Sequence, residues 1–406
     1  MRRRNYDKLY DEMDPSQRRE VGRDEYGNRR RVRYVDVRKD SSYKVKTHAG
    51  RYLMISALMC VVVAGGILYN QHQQAQRPVE VPTEQEAPVE PAAPAEESIS
   101  QHLTVGLKGS AVQLVRAGDP YVEAGAYAID SRTGPITDVE MTGASEIDTG
   151  KPGDYPVTYT FRTDDGIGTV ERTVRVVAAD DFVAATDGVP VLMYHFVYTA
   201  SDVPESLDGN WILDTDLAAQ LQYLQESDYY YPSFAELRAY VQGEIALPER
   251  SIVLTFDDGN QKFLAYGLPL LEQYQVPATS FLVGAYGDTE QVKTWPSAYV
   301  CYQSHSYDMH RPGGSVGHGG IISAMTREEI LQDLNQSIAM TGNHDAFAYP
   351  FGDYTDDAMG AVEDSGILCA FSTEHGKCRP GDNPACLPRI RAQGAASLEA
   401  FIGSIS

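Results

Sequence analysis

Four short stretches place side chains that could share a reaction. Thr255-Phe256-Asp257-Asp258-Gly259 follows the apolar run Ser251-Ile252-Val253-Leu254 and sets two carboxylates side by side. Neighbouring side chains of a strand leave opposite faces, so a turn at Gly259 is needed to bring both acids into one small space. One acid could then hold a cation while the other acts as a base. Ser304-His305-Ser306-Tyr307-Asp308-Met309-His310 adds two imidazoles just past another expected strand. Two histidines and one carboxylate leave coordination positions open, which is what a hydrolytic metal requires. Ala348-Tyr349-Pro350-Phe351-Gly352-Asp353-Tyr354 is a loop shaped by Pro and Gly that could aim a backbone N–H at a developing oxyanion. Pro190-Val191-Leu192-Met193-Tyr194-His195 ends an apolar strand on a histidine. Taken singly, each stretch also fits a bland alternative: a solvated Asp-Asp-Gly turn, two surface histidines, a generic turn, a structural histidine. His318, in the Gly-rich stretch 312–320, reads as loop.

The elements that must position these residues alternate strand and helix from about Asp187 onward. Strands are expected at Val189–Val197, Ser251–Phe256, Ala278–Val283, Tyr299–Gln303, Phe347–Tyr349 and Ile367–Phe371. Between them, Asp216–Glu226 carries Leu217, Leu221 and Leu224 on one helical face, and Leu268–Tyr274 reads as helix. Thr326 and Glu329 form a capping-box pattern ahead of Ile330, Leu334 and Ile338. Such alternation implies a parallel sheet or barrel whose sites sit at the C-terminal strand ends, where all four motifs fall. Residues 101–180 differ. Alternating stretches at Ala111–Val115, Tyr155–Arg162 and Thr169–Val177 are separated by turn signals at Gly118-Asp119-Pro120, Gly134-Pro135, Lys151-Pro152-Gly153-Asp154 and Asp164-Asp165-Gly166. This reads as a small antiparallel sandwich. Its Gly118–Ala126 and Gly153–Tyr159 stretches resemble bacterial immunoglobulin-like surface modules.

The first 51 residues carry 16 Lys/Arg against 9 Asp/Glu in a chain of net charge −23, so the remainder is strongly acidic. An acidic body argues against nucleic acid as its partner. Residues 52–69 are apolar and uncharged, long enough to span a bilayer as a single transmembrane helix. With a basic head of this length before it, the run reads as a retained single-pass anchor. The basic tail (1–51) is then cytoplasmic and the body extracellular, at the cell membrane. Residues 70–100, rich in Gln, Pro and Glu, read as a semi-extended linker. Among the five cysteines, Cys60 lies in the apolar run, while Cys378–Cys386 and Cys301–Cys369 are pairings that an oxidising compartment would permit.

Taken together and in this order, the Thr-Phe-Asp-Asp-Gly turn, the Ser-His-Ser histidine pair and the Tyr-Pro-Phe-Gly loop resemble the polysaccharide deacetylase family, carbohydrate esterase family four. The resemblance covers about Pro190 to Arg391 within a catalytic domain at 187–406. The five-residue step from His305 to His310 is similar to the subgroup of biofilm poly-N-acetylglucosamine deacetylases, in which the barrel is circularly permuted and the general-acid histidine lies in an N-terminal Met-Tyr-His strand. The family fold implied is a distorted (β/α) barrel of the α/β class. Carried over, the resemblance implies Asp258, His305 and His310 as ligands of a divalent metal, usually Zn2+. It implies Asp257 as the base that deprotonates water, His195 as the acid for the departing amine, and the Phe351 N–H as a donor to the oxyanion. The family's Asp-x-x-x-Trp region is not recognisable here, since Trp211 and Trp295 are both misplaced for it. Arg389, in Leu387-Pro388-Arg389-Ile390, is the candidate that orients the base instead. The expected reaction is hydrolysis of N-acetyl groups on an extracellular N-acetylglucosamine-containing polysaccharide, peptidoglycan or a poly-N-acetylglucosamine-like polymer. The rivals are O-acetyl ester hydrolysis on a polysaccharide and a non-catalytic wall-binding scaffold.

Overall fold

A computed structural model describes residues 98–406. The basic tail, the apolar run at 52–69 and nearly all of the spacer lie outside the described residues. Among the described residues, no helix is long and apolar enough to cross a membrane.

The first described module is all β. Strands β1 (Leu103–Leu107), β2 (Val112–Arg116), β3 (Ala126–Asp130), β4 (Gly134–Ile136), β5 (Val139–Thr142), β6 (Gly153–Thr163) and β7 (Gly166–Val177) form two sheets, ordered β1-β3-β4 and β2-β7-β6-β5. Asp164 and Asp165 turn the long β6–β7 hairpin, in which Thr163 pairs with Gly166. Alternate residues of β6, namely Val157, Tyr159 and Phe161, point inward and meet Val174 and Val176 of β7. Gly134-Pro135, expected as a turn, instead pairs as β4 with β3. Ser98–Ser100, expected as the end of the spacer, already lie along β7, with Ser100 N donating to Ile167 O and Ile167 N to Ser98 O.

Strands β8 (Val191–Tyr194), β9 (Phe196–Tyr198), β10 (Trp211–Leu213), β11 (Val253–Phe256), β12 (Ala278–Leu282), β13 (Val300–Ser304), β14 (Ala346–Ala348), β15 (Cys369–His375) and β16 (Leu387–Arg391) belong to the second module. Seven of them close into a parallel barrel in the order β11-β12-β13-β14-β15-β16-β8. Each neighbour is reached through a long connection, most of them helical, which parallel pairing requires. The closing contact is β16 against β8, with Ile390 opposite Leu192. Strands β8, β11, β12 and β13 are buried along their whole length, as expected when both faces are covered. The strand expected at Val189–Val197 breaks at His195. Beyond it, Phe196–Tyr198 leaves the barrel and pairs with β10. The expected helix faces are buried: Leu217, Leu221 and Leu224 in Asp214–Glu226, and Ile330 and Leu334 in Arg327–Thr341, whose Thr326/Glu329 capping box is formed.

The β module docks on the N-terminal end of the barrel, away from the motifs. Lys108 Nζ lies 2.6 Å from Asp345, the residue before β14. The Tyr127 hydroxyl donates to Ser297 O at 3.1 Å, and the Ala246 N–H reaches Asp119 at 2.8 Å. Buried Arg172 donates to the carbonyls of Lys108, Ser110 and Gly125 and so stiffens the contacting loops.

The disulfides considered from sequence do not form. Cys301, Cys369, Cys378 and Cys386 are free thiols. Cys301 and Cys369 sit on β13 and β15, which β14 separates. The buried Cys378 thiol faces Pro388 O at 3.6 Å rather than Cys386.

Candidate active site

Strand β11 delivers the two acids. The chain turns at Asp258 itself, with φ +76°, before Gly259 continues at +58°. The left-handed conformation is one that Asp tolerates better than most residues. Gly259 is required for space as well as for φ: a Cβ there would collide with Leu282, and the Gln291 amide donates to its carbonyl. The turn thus begins one residue earlier than the sequence suggests. It separates the carboxylates into two environments.

Asp257 faces Arg389. Nη1 and Nη2 donate to Oδ1 and Oδ2, each at 2.8 Å, a bidentate pair that is almost wholly buried. Arg389 is fixed in turn by Ser372 O at 3.0 Å and by the Thr255 hydroxyl at 3.1 Å. That hydroxyl donates onward to Leu192 O. The rings of Phe281 and Phe371 flank the guanidinium at 5.9 and 6.0 Å. Burial alone would push the Asp257 carboxyl up, but Arg389 and then His305 hold it below the ordinary carboxylate value.

Asp258 faces the histidines. Its Oδ1 lies 3.4 Å from His305 Nε2 and 3.2 Å from His310 Nε2, and the three ligand atoms lie within 4.8 Å of one another. Yet Oδ1 is buried and accepts no hydrogen bond among the described residues. His305 sits at the end of β13 with Nδ1 2.7 Å from Ala348 O. A carbonyl only accepts, so Nδ1 carries the hydrogen and, in the neutral ring, Nε2 presents a lone pair, the tautomer a metal ligand needs. His310 packs its ring 4.4 Å from Phe351 and 4.8 Å from His305. An orphaned carboxylate oxygen facing two imidazole nitrogens is a donor set that fits a divalent cation.

His195 follows Tyr194, which pairs with Phe256, so it stands level with Asp257 on the adjacent strand. Burial depresses the imidazole pKa, while Asp257 and Asp258 raise it in opposition. Phe351 adopts φ +62° in the turn after β14. Of the six non-glycine residues with positive φ among those described, three (Asp258, Ser306 and Phe351) belong to these site loops. Backbone strain of this kind concentrates where a side chain must be aimed. His318 is exposed in the Gly-rich loop, which Asp353 ties down through the N–H groups of His318 and Gly320.

The structure therefore brings together Asp257, Asp258, His195, His305, His310 and Arg389 at the C-terminal mouth of the barrel, with Phe351 beside His310. Sequence reasoning missed Thr255 and Ser372 as supports of Arg389, and Ala348 O as the acceptor that fixes His305. Only Thr255 carried a signal, as the first residue of the Thr-Phe-Asp-Asp-Gly motif.

A closed parallel barrel with an Arg-held carboxylate beside an Asp-His-His set defines a hydrolase site suited to a metal. The polysaccharide deacetylase family matches residues 244–370, and the bacterial surface protein Ig-like domain matches residues 105–176. The chain carries a polysaccharide deacetylase domain preceded by an Ig-like domain, and its enzymatic class is that of a hydrolase removing acyl groups from glycans. A poly-beta-1,6-N-acetyl-D-glucosamine N-deacetylase of Staphylococcus aureus (strain MRSA252) is 24% identical over 213 residues, 48% of this chain and 72% of that protein. Among solved structures, the Streptococcus pyogenes deacetylase PplD is 21% identical, with a TM-score of 0.47 over 54% of this chain and 98% of the other. IcaB from Ammonifex degensii is 24% identical, with a TM-score of 0.46 over 55% and 99%.

Proposed function

We propose that the chain hydrolyses N-acetyl groups on an extracellular N-acetylglucosamine-containing polysaccharide, using a divalent cation held by Asp258, His305 and His310. The observation that carries this reading is the buried, unbonded Asp258 Oδ1 facing two imidazoles, next to a second carboxylate clamped by arginine. Two nitrogens and one oxygen with open positions suit a hydrolytic zinc ion. When bound, the cation supplies a Lewis acid that polarises the acetamide carbonyl and eases deprotonation of water.

The chain's own residues do the rest. Asp257, kept ionised by Arg389, takes a proton from the attacking water. Arg389 fixes both oxygens of Asp257 and so sets the direction of that transfer. As the water oxygen bonds to the carbonyl carbon, the N–H of Phe351 donates to the oxyanion. His195 then gives a proton to the nitrogen as the C–N bond breaks, leaving a free amine and acetate. The substrate reading draws on the curated staphylococcal relative; a peptidoglycan-like strand shares the acetamide chemistry. The apolar run at 52–69 supports a single-pass anchor that keeps the catalytic domain outside the cell, with the linker and Ig-like module between membrane and barrel.

Acetate release from chitooligomers tests the reading. Asp257→Asn and His305→Ala proteins are expected to lose it while remaining folded; full activity in either would sink the assignment. Faster release from acetylated xylan than from chitooligomers would favour ester hydrolysis instead.

A further inference from the structure

The loop joining the two histidines is anchored from a helix that no sequence motif marks. Asp333, in the helix Arg327–Thr341, accepts the N–H of Tyr307 through Oδ1 at 2.6 Å and that of Asp308 through Oδ2 at 2.8 Å. The carbonyl side of the same segment is held by another element: Gly284 N donates to Ser306 O at 3.1 Å and Ala285 N to Tyr307 O at 2.7 Å. Tyr307 is thus gripped through both its N–H and its C=O. Gly284 leaves just enough room for the Tyr307 ring, which a Cβ there would strike.

The two histidines differ in how much they need this grip. His305 is buried at a strand end, its backbone N–H bonded to Leu282 O at 2.9 Å and its ring to Ala348 O. His310 lies five residues on, half-buried, and the Tyr286 hydroxyl lies 3.4 Å from its Nδ1, a long contact. The place of its Nε2 therefore depends on ring packing against Phe351 and on the backbone path that Ser306, in the left-handed region at φ +73°, starts and Asp333 helps to fix. The helix bearing Asp333 is a firm base. Ile330 and Leu334 are fully buried, its N-terminus has a complete capping box, and Gly342 closes its C-terminus.

We propose that Asp333 is a positioning residue for the cation site: by accepting two successive backbone N–H groups, it fixes the His305–His310 loop and thereby the third ligand. The inference rests on the reading that Asp258, His305 and His310 hold a divalent cation.

Cobalt(II) titration of the metal-stripped full chain, followed by visible absorption, tests it without recourse to activity. Asp333→Ala is expected to weaken cobalt binding about ten- to hundredfold, the usual effect of losing a support of a metal ligand, and to alter the absorption bands as His310 leaves the set. Asp333→Asn keeps a single acceptor, can serve one N–H only, and is expected to fall in between; it carries the comparison if the alanine variant does not fold. Thr326→Ala removes the cap of the same helix without touching the loop, so it should lower the unfolding temperature and leave cobalt affinity intact. Wild-type affinity in both Asp333 variants would overturn the proposal. So would an equal loss in Thr326→Ala, because helix stability rather than the two contacts would then be responsible. A wild-type chain that binds no cobalt would instead overturn the cation reading on which the proposal stands.

Discussion

Asp257, proposed as the base, is buried, and the Arg389 guanidinium is the largest influence holding its pKa down. Lysine at 389 would keep the charge but lose the planar fork that contacts both oxygens. Arg389→Lys is therefore expected to lower kcat by roughly a hundredfold with little change in KM, a loss of about 2.7 kcal/mol in transition-state stabilisation. Steady-state acetate release checks it. The pH profile should move as well. Arg389 depresses the Asp257 pKa, so in the wild type the base form persists as pH falls to and below the ordinary carboxylate value. Replacement by Met removes the main opposition to burial, leaving His305 and His195, and raises that pKa, so the acid limb of kcat/KM should shift to higher pH. The same change strands a buried charge, and urea unfolding near neutral pH should show a loss of about 3–5 kcal/mol. An unshifted acid limb in a folded Arg389→Met protein would argue that Asp257 is not the base.

Among the elements, the turns after the strands carry the precision, and they were also the most legible part of the chain. The Asp-Asp-Gly, His-x4-His and Pro-Phe-Gly patterns are local, so a few adjacent residues announce them. What stayed hidden is non-local. Arg389 reaches Asp257 from 132 positions along the chain, and Ala348 O meets His305 across 43. Barrel closure through β8 makes the first pair neighbours, and the pairing of β13 with β14 the second. Arg389 was nonetheless a candidate through the family resemblance, as the residue that orients the base, although no strand was expected at Leu387–Arg391. The capping box at Thr326 and Glu329 was readable, whereas the same signature at Ser233 and Glu236 passed unread although it starts the helix Phe234–Val241. The strand expected at Val189–Val197 broke at His195 because an apolar run does not reveal where the chain leaves a barrel. At this scale Gly259→Ala combines a left-handed backbone with a clash against Leu282. It is expected to cost at least about 1–2 kcal/mol and to abolish cation binding, as read by thermal unfolding with and without added zinc.

Across the whole molecule, the Ig-like module is joined to the barrel by a defined polar interface. Lys108, from the loop after β1, reaches Asp345 at the barrel floor, where Gln303 also donates to that carboxylate. Lys108→Met would remove the ion pair but leave Asp345 with one donor, so the expected loss is about 1–3 kcal/mol in urea unfolding. Because this floor lies at the opposite end of the barrel from the motifs, kcat should be unchanged. A variant with wild-type stability would mean that this ion pair adds nothing net to the interface. The modular composition was visible in the change of periodicity near residue 180, but the docking was not, because no local pattern records which loop meets which strand end. The central claim concerns the cation and the acetamide together. Its most direct test is acetate release from N-acetylglucosamine oligomers by the full chain, measured after chelation and again after adding back one equivalent of zinc. The expected result is loss of release on chelation and its return with zinc, with Asp258→Ala inactive in both states. Undiminished release from the chelated protein would contradict it.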